Sequence, residues 1–306
     1  MKRIRAMVAT LLLLVSLGLC GCSLLPELAP SDPPNYQMTP KVGGDALITP
    51  GTLVVGVDTS KAPFAGESYG HIVGIDVDLA AALGDELGLK IKVVDVAEKG
   101  GPTALEDGDI DLFFAFDKNT ASHFDCTFTG TYLYDAAALF TRDGSYGINK
   151  VEHLPEGAYV AVQRNTTTAE SAYVLYGADV VVETDTLADA FSALANGEVQ
   201  YVAASAVVGN YIAYTQYSDV VMVGVLDEPR AIGLGVKSSN KELAKAAGEA
   251  METLKNNGIA DLMIDKWLGA NLELLDEPVV PVEPVDANAP DANGTEEGNG
   301  TEEASS

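Results

Sequence analysis

Between Asp45 and Leu275, strand-like and helix-like stretches alternate, and this alternation constrains the fold more than any other feature of the chain. It is the pattern of helices laid over a largely parallel sheet, an α/β architecture. Leu53 to Val57 is a short buried-strand run. Ile75, Leu79, Ala82, Leu83 and Leu87 then fall on one helical face, Gly88 suits a C-cap, and Ile91 to Val96 is the next strand. A third strand, Asp111 to Phe114, follows the turn-like Glu106-Asp107-Gly108-Asp109.

A second set opens with the strand Tyr159 to Val162 and a helix near Ala169 to Tyr176. Strands near Val180 to Glu183 and Tyr201 to Ala204 follow, separated by a helix over Leu187 to Leu194. Ala136 to Thr141 and Ala231 to Lys237 are apolar and strand-like, so the chain is expected to leave one lobe, build a second and return. Helices over Lys241 to Asn256 and Ile259 to Leu268 would close the first lobe. The expected divisions are 45–140 for the first part of lobe 1, 141–230 for lobe 2 and 231–275 for the return. Ligands of open α/β sheets sit beyond the carboxyl ends of the strands. That selects the loops Asp58 to Gly74, Ala115 to His123 and Arg164 to Thr168.

The ends of the chain speak to location. Lys2, Arg3 and Arg5 precede an apolar run from Met7 to Leu19 that is too short to cross a bilayer, which reads as a secretion signal. Leu19-Cys20-Gly21-Cys22 resembles the bacterial lipobox, which implies cleavage and acylation, as by palmitate, at Cys22. Residues 1–22 are therefore expected to be a lipoprotein signal and 23–44, with five prolines, a flexible tether. Export then leaves Cys126 alone, a small buried hydrophobe with no intrachain partner. Residues 276–306 are rich in acidic residues and hold no Lys or Arg, a composition expected to stay disordered. The net charge of −27 argues against nucleic acid as a partner. His71, His123 and His153 show no metal-ligand spacing.

Several segments, in order, resemble the extracellular solute-binding proteins of family 3. They are Gly51-Thr52-Leu53-Val54-Val55-Gly56-Val57-Asp58 with Pro63-Phe64, then Gly74-Ile75-Asp76-Val77-Asp78-Leu79, then Leu105 to Asp111. Ala161 to Thr167, Leu194 to Val199, and Gly258 with Lys266-Trp267-Leu268-Gly269 complete the series. The resemblance implies a two-lobed fold of the periplasmic-binding-protein type II, with two crossover connections and a ligand cleft between the lobes. It implies a monomeric, extracytoplasmic receptor anchored to the cell membrane by its lipid, delivering a small polar solute, by family habit an amino acid, to ABC permease subunits. The transporter's ATPase supplies the energy, so neither a nucleotide nor another cofactor is expected, and the chain is not expected to be an enzyme. Delivery to a sensor instead of a permease, and a dehydratase on the same fold, are the alternatives.

The family grips an α-carboxylate with an Arg in a T-x-x-R motif, where this chain reads Thr120-Ala121-Ser122-His123. It pairs the α-ammonium with an Asp, where position matching gives Ser205. Both charged anchors of an ordinary amino acid are thus missing from their family positions, which opens the alternative of an organic anion or amine as solute. Lys61, Asp117, Lys118 and Arg164 are either replacement anchors or rim residues. Asp58 either meets the ligand or organises its turn, and Thr166 and Thr167 either present donors or cap a helix. Phe64 is read as a pocket wall, with Tyr69 a weaker candidate. Phe116 is placed in the cleft on the assumption that Phe113, Phe114 and Phe116 alternate regularly along a strand. Asp76 and Asp78 are assigned to the helix dipole and Trp267 to the core.

Overall fold

The computed structural model describes residues 39–142, 154–269 and 272–275. The secretion signal, Cys22, most of the tether, His153 and the acidic tail lie outside the described residues. Among the described residues no helix is long and apolar enough to cross a membrane.

The first sheet has the order β4-β1-β5-β12-β6. β1 (Thr52–Val57) pairs in parallel with β4 (Lys90–Asp95) and β5 (Leu112–Asp117), while β12 (Arg230–Lys237) runs antiparallel to β5 and to β6 (Cys126–Asp135). The second sheet, β11-β7-β10-β8-β9, is built from β7 (Ala137–Arg142), β8 (Val160–Gln163), β9 (Val181–Thr184), β10 (Tyr201–Ser205) and β11 (Val220–Val225). β8, β9 and β10 are parallel, and β7 runs against β10 and β11. The long β6 and the short β11 were not anticipated from the sequence. Both sheets are consequently mixed, with the antiparallel strands supplied by the crossings.

Helices cover the sheets as hydrophobic spacing requires. α1 (Ile75–Leu87) buries Ile75, Leu79, Leu83 and Leu87 and ends on Gly88, which adopts the left-handed conformation of a C-cap. With α6 (Lys241–Asn256) and α7 (Ile259–Leu268) it closes one apolar core on the first sheet. α2 (Gly101–Asp107) lies on the other face. In the second lobe α3 (Thr167–Tyr176) covers one face, and α4 (Leu187–Asn196) and α5 (Ala206–Gln216) the other. Between β1 and α1 a hairpin of β2 (Gly66–Ser68) and β3 (His71–Val73) projects outward, with Tyr69 at its tip fully exposed rather than lining a pocket.

Three boundaries differ from expectation. The chain changes sheet at Ala136, between β6 and β7, several residues before the expected division at 140. The tether does not extend to 44: Val42 is buried, the Lys41 amide donates to the Leu87 carbonyl, and the Gly43 amide donates to Glu242 at 2.7 Å. The returning segment 231–275 also does not stay with lobe 1. Leu272 packs against both cores, and Leu274, only 1% exposed, sits in that of the second sheet. A third, non-covalent link thereby joins the lobes.

Candidate functional site

Strand direction decides where the two lobes face each other. β1, β4 and β5 are parallel, so Asp58, Asp95 and Asp117 share one end of the first sheet. β12 runs against β5 and β6 against β12, which brings the first residue of β12, Arg230, and the last of β6, Asp135, to that same end. The chain then enters the second sheet at Ala137, opposite the end of β10, where Ser205 is its ladder partner. β8, parallel to β10, ends there too, at Gln163. The loops that follow these strand ends form the facing walls.

Charges on these walls are ordered by hydrogen bonds. Arg230, with 27% of its side chain exposed, directs Nε to Asp117 at 3.1 Å and Nη1 to Asp227 at 3.2 Å. Each carboxylate is held in turn by a backbone amide: Asn119 N donates to Asp117 at 2.8 Å, and Ala137 N to Asp227 at 2.7 Å. Asp135 accepts from Ser205 Oγ at 2.9 Å and from Val207 N at 3.1 Å, tying the end of β6 to the start of α5. Burial raises the Asp135 pKa against the lowering effect of these donors and of Arg230. Sequence reading did not single out Arg230, Asp135 or Asp227. All three are adjacent to the crossings, and a charged residue flanking an apolar crossing strand is the signal that marks them.

The sequence candidates divide. Asp58 is bonded to Ser60 N and Oγ at 3.1 and 2.5 Å and paired with Lys61 at 3.1 Å. Burial opposes its ionisation, but the Ser60 and Lys61 bonds win and its pKa falls below the usual value. Arg164 pairs with Asp185 at 2.9 Å on the second lobe. Lys61 and Arg164 are thus each already paired with a carboxylate of their own lobe, while Lys118 carries no ion pair among the described residues. Lys118 and His123 are exposed at opposite ends of a 3-10 turn, Lys118–His123, with the His123 ring 6.5 Å from that of Phe124. Thr166 caps α3, accepting from Ala169 N at 3.1 Å and donating to Gln163 O at 2.8 Å; Thr167 is the exposed first residue of that helix. Ser205 caps α5 through Val208 N at 3.2 Å.

Two aromatic assignments are corrected. Phe64 is only 8% exposed and packs in the core of lobe 1, because a peptide turn buries it beneath α1, where Asp76 N donates to its carbonyl at 2.9 Å. Phe116 is 4% exposed and stacks edge-on against Phe113 at 4.9 Å between ring centres. Side chains do not alternate regularly here because Ala115 adopts φ 55, and the ladder to β12 takes three steps on β5 (Phe113 to Phe116) for two on β12 (Gly235 to Gly233). This bulge returns Phe116 to the side of Phe113. Its amide is taken up by Tyr132 Oη at 3.0 Å, and Tyr132 donates to Asp76 at 2.7 Å. Asp76 is therefore no solvated dipole partner but a wholly buried carboxyl whose pKa burial pushes up to about 8. Asp78 instead clamps α7, accepting from Lys266 and from the half-buried Trp267 Nε1, each at 2.7 Å.

This geometry matches known proteins. The model of the bacterial extracellular solute-binding proteins, family 3, matches residues 53–270. The chain is 28% identical over 229 residues to the ABC transporter glutamine-binding protein GlnH of Bacillus subtilis, covering 71% of this chain and 81% of that one. It is 27% identical over 223 residues to a putative ABC transporter arginine-binding protein of Escherichia coli, covering 71% and 90%. The unliganded, open L-cystine receptor of Neisseria gonorrhoeae superposes with a TM-score of 0.63 at 19% identity, over 72% of this chain and 93% of that one, which speaks for the fold alone. Two α/β lobes joined by two crossings are the type II periplasmic-binding-protein fold, and the chain belongs to the bacterial extracellular solute-binding proteins, family 3.

Proposed function

We propose that this chain is the lipid-anchored capture component of an ABC importer and binds a polar α-amino acid between its two lobes. The observation that carries the reading is the hinge constellation. Arg230 and the carboxylates of Asp117 and Asp227 stand where the ends of both sheets meet the crossings, so groups of both signs are held where lobe rotation would enclose a zwitterion. Solute affinity for the closed arrangement shifts the open–closed equilibrium, and permease subunits read the closed form. The glutamine- and arginine-binding relatives favour an amino acid over an organic anion, in keeping with the ion-paired Lys61 and Arg164. Catalysis gains no support: Asp117 is engaged by Arg230 and Asn119 N, and His123 is exposed at the far end of the turn. Cys22 would hold the protein on the outer surface of the cell membrane, as a monomer on a flexible leader.

Thermal denaturation of the purified chain with each of the twenty standard L-amino acids and L-cystine tests the solute class. A ligand at a hundredfold its Kd stabilises the fold by about 2.7 kcal/mol. A panel without any saturable shift rejects an amino acid as solute. Anchoring is tested separately by metabolic labelling with an alkynyl palmitate, which Cys22→Ala should abolish.

A further inference from the structure

Among the ion-paired cations on the facing walls, Arg230 differs in how it is held. Lys61 is a flexible side chain, 60% exposed, tied to a neighbour in its own loop, and Arg164 is tied to Asp185 within its own lobe. Arg230 is fixed from two directions, by Asp117 of the first sheet and by Asp227, and the latter also accepts from Ala137 N, the entry to the second sheet. Its fork is therefore oriented before any ligand arrives, which lowers the ordering cost of binding. One Nη1 hydrogen, of the five N–H donors of a guanidinium, is bonded to Asp227, while Nε is ion-paired with Asp117. The donors left over suit a planar carboxylate.

The same cluster holds more negative than positive charge: Asp117 and Asp227 face one guanidinium, and Asp135 is close enough to feel it. A bound carboxylate would deepen that excess unless it brought a cation with it. We propose that Arg230 is the carboxylate anchor for α-amino acids without a net negative charge, and that Asp117 and Asp227 compensate the ligand's ammonium. The proposal deepens the amino-acid reading and rests on it. It assigns the anchor to the second crossing rather than to the turn at Thr120–His123, and it predicts discrimination against aspartate and glutamate.

The test is isothermal titration of the purified chain with those L-amino acids that bind, each beside its α-carboxamide, for the wild type, Arg230→Lys and Arg230→Gln. Arg142→Gln serves as the control, since Arg142 pairs with Asp219 at the opposite end of β7. Wild type should prefer the acid to the amide by about 10- to 100-fold, as expected for hydrogen bonds to a charged group. Arg230→Lys should lower affinity for the acid by at least about tenfold and for the amide by less than about threefold, because only the fork is lost. An acid–amide preference unchanged in Arg230→Lys overturns the proposal and leaves the amino-acid reading intact. A wild type that binds no amino acid overturns both. A measurement free of variants covers misfolding: phenylglyoxal modification of wild type, mapped by mass spectrometry, should be suppressed at Arg230 but not at Arg142 by saturating ligand. Equal modification of Arg230 with and without ligand again refutes the assignment.

Discussion

Replacing Tyr132 by Phe removes one oxygen from the interior and should be costly. That hydroxyl accepts from Ala115 N at 3.0 Å and donates to Asp76 at 2.7 Å, and the residue is 2% exposed. Tyr132→Phe strips the bulge amide of its acceptor, which costs about 1–3 kcal/mol, and deletes a net-favourable bond to Asp76, about 0.5–1.5 kcal/mol. The sum is about 2–4 kcal/mol at pH 7, and at about 2–4 °C per kcal/mol for a chain of this size the melting temperature should fall by roughly 5–15 °C. The pH dependence adds a second signature. The Asp76 pKa, raised by burial from 3.8 to about 8, means that this group stabilises the fold fully below pH 3.8 and loses that contribution as pH rises through 8. The Tyr132 bond lowers this pKa, so the variant should push it higher and steepen the loss of stability above pH 8. Urea denaturation at pH 5, 7 and 9 measures both effects. A loss below about 0.5 kcal/mol with an unaltered pH slope would show that neither the bulge amide nor Asp76 depends on this hydroxyl.

Other perturbations probe the hinge and the first loop. Ser205→Ala removes the α5 cap and a donor to Asp135, so it should cost about 1–2 kcal/mol, more at pH 8 than at pH 5 because the Asp135 pKa, already raised by burial, goes higher; urea titration at the two pH values measures this. Leu274→Ala should cost on the order of 2 kcal/mol, low for a core leucine because the terminal segment can relax, and should change the closure amplitude followed by small-angle scattering with ligand. Gly74→Ala should destabilise by about 2–4 kcal/mol and weaken ligand binding measured by titration calorimetry, because φ is 145 there and an added Cβ would lie 2.3 Å from the Phe64 carbonyl at the base of the Asp58 loop.

The sequence by itself determined the class of fold and the family. Alternating strand and helix periodicity, the Gly88 cap and the ordered series of segments from Gly51 to Gly269 are local or short-range signals, legible without knowing what packs where. The same holds for the cap at Thr166, where a hydroxyl meets an amide three residues on. What only the tertiary structure decided depends on partners far apart in the chain. Phe116 turned from cleft to core because Ala115 forms a bulge whose amide is satisfied from Tyr132, and the same distant hydroxyl is the partner of the buried Asp76. Arg164 stood in the sequence as a charge available to a solute, and the pairing of β8 with β9 brings Asp185 beside it. Arg230, unremarkable in sequence, gained its place from antiparallel pairing of β12 with β5 and β6, which brings Asp117 beside it. Periodicity reports which side of an element is apolar; which charges meet is fixed by strand order and direction, and these are settled only when the sheets assemble.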